Sequence, residues 1–104
     1  MAQDYFQLQG QTALVTGASS GLGAHFARVL SAAGARVVLA ARRRDKLAEQ
    51  VDALRAAGAE AGAITLDVTS PDSVAAAFAE LEQDWGQLDI LINNAGVASD
   101  PIKF

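Results

Sequence analysis

The residues best suited to chemistry in this sequence form a glycine-rich segment, Thr16 to Gly23, which reads Thr-Gly-Ala-Ser-Ser-Gly-Leu-Gly. Three glycines within seven positions let a backbone turn tightly and bring its N–H groups close to a ligand's phosphates. The first N–H groups of a following helix lack intrahelical partners and face the same anion. We therefore predict a phosphate-binding turn whose contacts come from Gly17, Ser19, Ser20, Gly21, Leu22 and Gly23.

The glycine spacing alone does not identify the ligand. Gly-x-x-x-Gly-x-Gly differs from the dinucleotide fingerprint Gly-x-Gly-x-x-Gly and lacks the Gly-Lys-Ser/Thr ending of a mononucleotide P-loop. Glycines also collect in ordinary loops, so a simple connection is an alternative. The prediction depends on the residues and elements around the turn.

Three other polar groups each follow an apolar run. Arg42 to Arg44 follows the run that ends at Ala41, Asp67-Val68 follows Leu66, and Asn93 to Gly96 reads Asn-Asn-Ala-Gly after Ile92. Each group has an ordinary explanation, because arginines can form a solvated helix entrance and Asp or Asn can bond a turn. Cations at a helix N-terminus oppose the helix dipole, however, so three arginines without an anion are mildly unfavourable.

These groups lie at the ends of predicted strands in an alternating pattern. The strands are Ala13–Val15, Ala35–Ala41, a segment with Ile64 and Leu66 that stops at Asp67, and Leu88–Ile92. The helices between them have apolar positions at Leu22, Phe26, Val29, Leu30 and Ala33, then Leu47, Val51 and Leu54, then Val74, Phe78, Leu81 and Trp85. The helices end at Gly34, Gly58 and Gly86, and the third begins at Ser70-Pro71.

The resulting order βαβαβαβ predicts an α/β fold, because each crossover is long enough to join parallel strands through a right-handed connection. We predict the first half of a Rossmann-type, doubly wound parallel sheet with strand order 3-2-1-4. In such sheets ligands bind beyond the carboxyl ends of the strands, where the order reverses between strands one and four. The glycine turn, Arg42, Asp67 and Asn94 should therefore converge.

Together and in this order, the four groups resemble the cofactor site of the short-chain dehydrogenase/reductase family, over about Leu8 to Gly96. The resemblance implies that Thr16-Gly17-x-x-x-Gly21-x-Gly23 is the cofactor turn and that a selector residue follows strand two. It further implies that Asp67-Val68 touches adenine and that Asn94, Ala95 and Gly96 belong to the family's Asn-Asn-Ala-Gly run. Residues 1–104 would then be a single NAD(P)-binding domain.

The residues after strand two favour NADP(H) over NAD(H). An acidic residue there would accept hydrogen bonds from the ribose 2′-hydroxyl and repel a 2′-phosphate, but this chain has Ala41 and then Arg42. A guanidinium offers paired donors to a phosphate, so we expect Arg42, with Arg43, to bind it. NADP-preferring members of the family often carry a second basic residue in the glycine turn, where this chain has Ser20.

Members of the family transfer hydride between nicotinamide and a carbonyl or alcohol substrate, using a Tyr-x-x-x-Lys pair, a Ser and an Asn that follow the Asn-Asn-Ala-Gly run. The only tyrosine here is Tyr5, and Gln9 stands four positions later. We therefore identify no catalytic residue and expect a cofactor-binding half, truncated after strand four and inactive by itself. The alternative is a naturally short, non-catalytic nucleotide-binding or interaction module.

Composition argues against several other classes of protein. A formal net charge of −4 disfavours nucleic-acid binding, and no run approaches the roughly 18 apolar residues of a membrane span. The chain has no cysteine and one histidine, His25, so we expect no disulfide, no thiolate nucleophile and no metal site. We expect a cytoplasmic protein that forms a homo-oligomer and whose fourth strand, as an open apolar edge, invites pairing.

Overall fold

The computed structural model of the chain describes residues 7–19 and 21–94. Within them, one parallel sheet contains β1 (Thr12–Thr16), β2 (Arg36–Ala41), β3 (Ala61–Thr65) and β4 (Ile90–Asn93). The connecting helices are α1 (Gly21–Ala32), α2 (Ala48–Ala56) and α3 (Pro71–Trp85), and a short 3₁₀ helix at Arg44–Leu47 leads into α2. The strand order is β3-β2-β1-β4, which confirms the predicted Rossmann-type fold.

The sheet is covered on both faces, which explains the continuous apolar runs of its two central strands. Alternate residues of β1 enter opposite cores, so Ala13 and Val15 lie in one and Leu14 in the other. α1 and α2 pack on the first core, and α3 packs on the second. This division is the one that right-handed crossovers produce in a sheet of this order.

The parallel register brings the carboxyl ends of the strands to the same edge of the sheet. Thr16, the last residue of β1, lies opposite Ala40 in β2 and Asn93 in β4. Ala41, the last residue of β2, lies opposite Thr65 in β3. The segments that follow these residues therefore start beside one another.

The predicted inner faces of the helices are partly wrong. Leu22 and Val29 of α1 are 50% and 52% exposed, and Phe78 of α3 is 38% exposed. The buried positions are Gly23 and Ala27 in α1, which were not predicted, and Ala77 in α3 beside the predicted Leu81. The helices approach the sheet closely, so the innermost positions hold small residues and several larger apolar side chains lie on the flanks.

The ends of the elements otherwise follow the sequence closely. Each helix is followed by a glycine with a positive φ, namely Gly34, Gly58 and Gly86. Ser70 caps α3, since its Oγ accepts a hydrogen bond from the Ser73 N–H at 3.2 Å, and Pro71 is the first helical residue. These predicted boundaries are confirmed.

The strand boundaries differ from the prediction by one residue at both ends of β1, at the start of β2 and at the end of β4. Two further differences concern the start of β4 and the end of β3. β4 begins at Ile90 and not at Leu88, because Asp89 turns its carboxylate to accept a hydrogen bond from the Thr12 N–H at 2.9 Å. β3 ends at Thr65, although the next residue, Leu66, is buried and still donates its N–H to the Ala41 carbonyl at 2.9 Å. No helix in the described part of the chain is both long and apolar enough to span a membrane.

Candidate functional site

The glycine-rich turn begins where β1 ends. Gly17 has a φ of +61°, a left-handed conformation that glycine adopts without steric cost, and this reverses the chain directly after Thr16. The next residue, Ala18, is fully buried and donates its N–H to the Ala40 carbonyl of β2 at 3.2 Å. The turn is thus attached to the sheet on the β2 side.

The second and third glycines of the motif differ in what surrounds them. A Cβ on Gly23 would lie 2.6 Å from the Gly17 carbonyl oxygen and 2.8 Å from the Ala18 Cα, so the packing of α1 against the turn excludes any side chain there. A Cβ on Gly21 would meet nothing within 4 Å among the described residues. Gly23 is therefore required by the fold itself, whereas the fold leaves open space at Gly21.

The ends of β1 and β4 are joined by side chains. Thr16 Oγ1 donates to Asn93 Oδ1 at 2.8 Å, and Asn94 Nδ2 donates to the Gly17 carbonyl at 3.2 Å. Asn94 is buried, so its amide supports the first bend of the glycine turn from the neighbouring strand. The ordinary explanation of the two asparagines, that they bond loop backbone, holds for Asn94. Ala95 and Gly96, and Ser20 in the turn, lie outside the described residues.

The three arginines after β2 have different partners. Arg44 Nη2 donates to both carboxylate oxygens of Glu80 in α3, at 3.1 and 3.0 Å, and Arg43 contacts Asp45 at 3.3 Å. Arg42 is exposed and makes no hydrogen bond or ion pair with the part of the chain that the structure describes. Within residues 7–19 and 21–94, two of the three guanidiniums therefore have a carboxylate partner, and Arg42 has no hydrogen-bonded or ion-paired one.

Asp67 lies in a tight turn directly after the β3 end of the sheet. Its Oδ1 accepts hydrogen bonds from the Thr69 hydroxyl at 2.6 Å and from the Thr69 N–H at 3.0 Å. The hydroxyl bond first, then the backbone bond, and to a smaller extent the charge of Arg42 hold the pKa of Asp67 below its usual 3.8, against the opposing effect of partial burial. The residue is thus a turn-forming carboxylate, and its other oxygen has no hydrogen-bond partner within residues 7–19 and 21–94.

The predicted site residues that the structure describes follow the carboxyl ends of the strands and so share one edge of the sheet, with the glycine turn and Asn94 at the reversal of strand order between β1 and β4. That edge presents the start of α1, the exposed cation of Arg42, the carboxylate of Asp67 and the exposed apolar side chains of Leu22 and Val68. The start of a helix and a free guanidinium suit phosphate groups. An exposed aliphatic side chain suits the flat face of a ring.

Other kinds of site find no support in the described residues. They contain no group of three or more His, Cys, Asp or Glu side chains that could hold a metal ion. A groove of about 520 Å³ does lie between α1 and α2, but its lining is mostly alanine and includes none of the predicted site residues. His25 is exposed on α1, as predicted.

A family model described as short chain dehydrogenase matches residues 11–103 of this sequence. The chain belongs to the short-chain dehydrogenase family. It is 45% identical over 94 residues to gluconate 5-dehydrogenase from Gluconobacter oxydans, a match that covers 90% of this chain and 37% of the relative. The chain therefore spans well under half the length of this short-chain dehydrogenase.

Solved structures of the short-chain dehydrogenase family agree with the fold. A gluconate 5-dehydrogenase from Burkholderia cenocepacia, in complex with NADP and tartrate, superposes with a TM-score of 0.83 at 41% identity, over 92% of this chain and 38% of that one. An actinorhodin polyketide ketoreductase with NADPH superposes with a TM-score of 0.76 at 42% identity, over 81% and 32% of the two chains. Both structures contain a nicotinamide dinucleotide.

Sequence analysis missed the residues that hold the site residues in place. Glu80 pairs with Arg44 from 36 positions away and Gln50 contacts Ala18 from 32 positions away, and neither distance leaves a pattern in the sequence. Thr69 is different, because the spacing Asp-x-Thr after a strand is typical of a side chain that bonds backbone two residues on. This spacing is a signal from which the contact between Asp67 and Thr69 could have been predicted.

The lowered pKa of Asp67 predicts a pH dependence of stability. A depressed pKa in the folded state stabilises the protein above the unfolded value of 3.8, and the stabilisation is lost as the pH falls through the lower, folded value. In full-length protein, the wild type should therefore exceed Asp67→Asn in free energy of unfolding at about pH 6, and this difference should shrink by about pH 3. Chemical denaturation of both proteins across this range measures it.

Thr69→Val supplies the control for this experiment, because it removes the hydroxyl donor and leaves the carboxylate. In the Thr69→Val background, Asp67→Asn should have a smaller effect at neutral pH. An Asp67→Asn effect that is equal at both ends of the pH range would show that the Thr69 bonds do not depend on the charge of Asp67.

Proposed function

We propose that this chain is the cofactor-binding half of an NADP(H)-dependent short-chain oxidoreductase, which transfers hydride between nicotinamide and a carbonyl or alcohol substrate. The observation that supports NADP(H) most directly is that the three arginines after β2 differ in their partners. Arg42 is exposed and unpaired among the described residues, whereas Arg43 and Arg44 have carboxylate partners. The two family structures with NADP or NADPH support the same cofactor class.

The residues at the strand ends fit such a dinucleotide in a particular order. The turn from Gly17 to Gly23, including Ser19, Ser20 and Leu22, would hold the pyrophosphate at the start of α1, where the space at Gly21 is open. Arg42 would bind the 2′-phosphate, and Arg43 could join it, since exposed ion pairs such as Arg43–Asp45 contribute only about 0.2–1 kcal/mol. Asp67 and Val68 would border the adenine, and Asn94, Ala95 and Gly96 would border the cofactor beside β1.

The proton transfer of such a reaction is assigned to no residue of this sequence. A tyrosine acts as an acid or base at neutral pH only when a nearby cation lowers its pKa, and Tyr5 has Gln9 where the family's pattern has a lysine. The bound cofactor would supply or accept the hydride. We propose that the acid–base residues belong to a longer protein, of which the relative's length is an indication.

Arg42→Ala tests the choice of cofactor. In full-length protein we expect the Kd for NADPH to rise roughly ten- to a hundredfold while the Kd for NADH stays constant, because a lost charge-assisted bond to the 2′-phosphate corresponds to about 1.5–3 kcal/mol. Arg44→Ala is the matched control. It removes the same charge two residues from Arg42, but the guanidinium that it removes is held by Glu80. Titration of all three proteins with both cofactors gives the comparison.

The selectivity should be lost with Arg42 and kept with Arg44. If Arg42→Ala lowered the affinity for both cofactors equally, Arg42 would shape the loop and would not recognise the phosphate. If wild-type protein preferred NADH, the choice of NADP(H) would be wrong.

Gly21→Ala and Gly23→Ala test the use of the glycine turn. Because the space at Gly21 is open, Gly21→Ala should change the free energy of unfolding by less than about 1 kcal/mol. It should still weaken the binding of both cofactors, because its methyl group would enter the space for the phosphates. Gly23→Ala should lower the stability itself by about 1–3 kcal/mol, because its methyl group would collide with backbone. Thermal unfolding and cofactor titration of full-length variants separate the two effects. Unchanged binding of both cofactors by Gly21→Ala would place the ligand elsewhere.

A further inference from the structure

Gln50 of α2 contacts the glycine turn from outside the predicted site. Its Nε2 donates a hydrogen bond to the Ala18 carbonyl oxygen at 2.8 Å. Its Oε1 is buried and has no hydrogen-bond partner within the described parts of the chain. Among the described residues, the Gln50 amide therefore has a partner for its donor and none for its acceptor.

The unsatisfied oxygen bears on why a glutamine stands at this position. A buried acceptor without a donor destabilises a folded protein, and an apolar side chain of the same length would avoid that cost. Packing alone would therefore be served better by methionine. The feature that glutamine adds is its hydrogen bond to Ala18.

That hydrogen bond fixes the orientation of one peptide group in the turn. The Ala18 carbonyl and the Ser19 N–H belong to the same planar trans peptide, so they point in opposite directions. Since Gln50 holds the carbonyl toward α2, the Ser19 N–H is directed away from α2. Ala18 itself is kept in place by its N–H bond to Ala40 and by the close contact with Gly23.

We propose that Gln50 is a positioning residue for cofactor binding, which orients the Ala18–Ser19 peptide so that the Ser19 N–H faces the phosphates of the dinucleotide. The identity of that ligand rests on the proposed function, whereas the orientation of the peptide does not. Gln50 would act through its bond to Ala18 in the turn and not through a contact with the cofactor. Its effect should therefore be shared by NADPH and NADH, which have the same pyrophosphate.

The variant that isolates this role is Gln50→Met in full-length protein, because it keeps the length of the side chain and removes both the donor and the unsatisfied oxygen. We expect the Kd for NADPH and for NADH to rise by the same factor, about three- to tenfold, while the thermal unfolding midpoint stays the same or rises. Gln50→Lys, which restores a donor, should recover binding. Glu49→Met changes the adjacent exposed residue and should leave both constants unchanged.

The ¹H–¹⁵N spectrum of ligand-free protein gives a second readout that does not depend on any cofactor. The Ser19 amide signal should shift or broaden in Gln50→Met and return toward its original position in Gln50→Lys. Wild-type affinity in Gln50→Met, or an affinity loss that accompanies a lowered unfolding midpoint, would overturn the positioning role. If wild-type protein bound neither dinucleotide, the proposed function would fail, and an unchanged Ser19 signal would still refute the orientation of the peptide by Gln50.

Discussion

The missing side chain at Gly23 is the constraint on which the rest of the site depends. With only 2.6 Å between a hypothetical Cβ and the Gly17 carbonyl, α1 reaches the turn only because that position is a glycine. This close approach places the start of α1 directly beside the end of β1. The parallel register brings the ends of β2 and β4 beside the end of β1, so α1 begins where these three strand ends lie together.

The three arginines at this edge differ in the partners that they have among the described residues. The chain is acidic, with a formal net charge of −4, and acidic residues pair with Arg43 and Arg44. Asp67, the carboxylate whose charge acts on Arg42, is itself bonded to Thr69. Under the proposed function, Arg42 is therefore the arginine expected to meet a phosphate, whereas Glu80 holds Arg44.

The order of strands could be predicted from the sequence because apolar runs, glycines and the Ser-Pro cap recur in a simple alternation. The buried faces of α1 and α3 were harder to predict from the sequence, because close helix–sheet packing places Gly23, Ala27 and Ala77 inside and leaves the larger Leu22 and Phe78 exposed. Hydrophobicity alone ranks these residues in the opposite order. The spacing of apolar residues therefore predicted each helix correctly, but it predicted the buried face of each helix only in part.

The candidate site was also predicted only in part, since its motifs could be found in the sequence and the partners of its residues could not. Motifs placed the glycine turn, Arg42, Asp67 and Asn94 at one edge, since the ends of parallel strands must meet there. The partners that hold these residues come from distant elements, as Glu80 does for Arg44 and Gln50 does for Ala18, so only the folded chain shows them. A three-arginine cluster thus reads as a single feature in the sequence and has three separate environments in the structure.

The measurement that tests the account most directly is the ¹H–¹⁵N spectrum of full-length protein titrated with NADPH and, separately, with NADH. The account predicts that the backbone amides of Ser19, Gly21 and Leu22 shift with both cofactors, and that the side-chain Nε–H of Arg42 shifts with NADPH alone. Arg44, held by Glu80, should shift with neither. Shifts confined to residues away from the ends of β1 and β2, or an equal response of Arg42 to both cofactors, would contradict it.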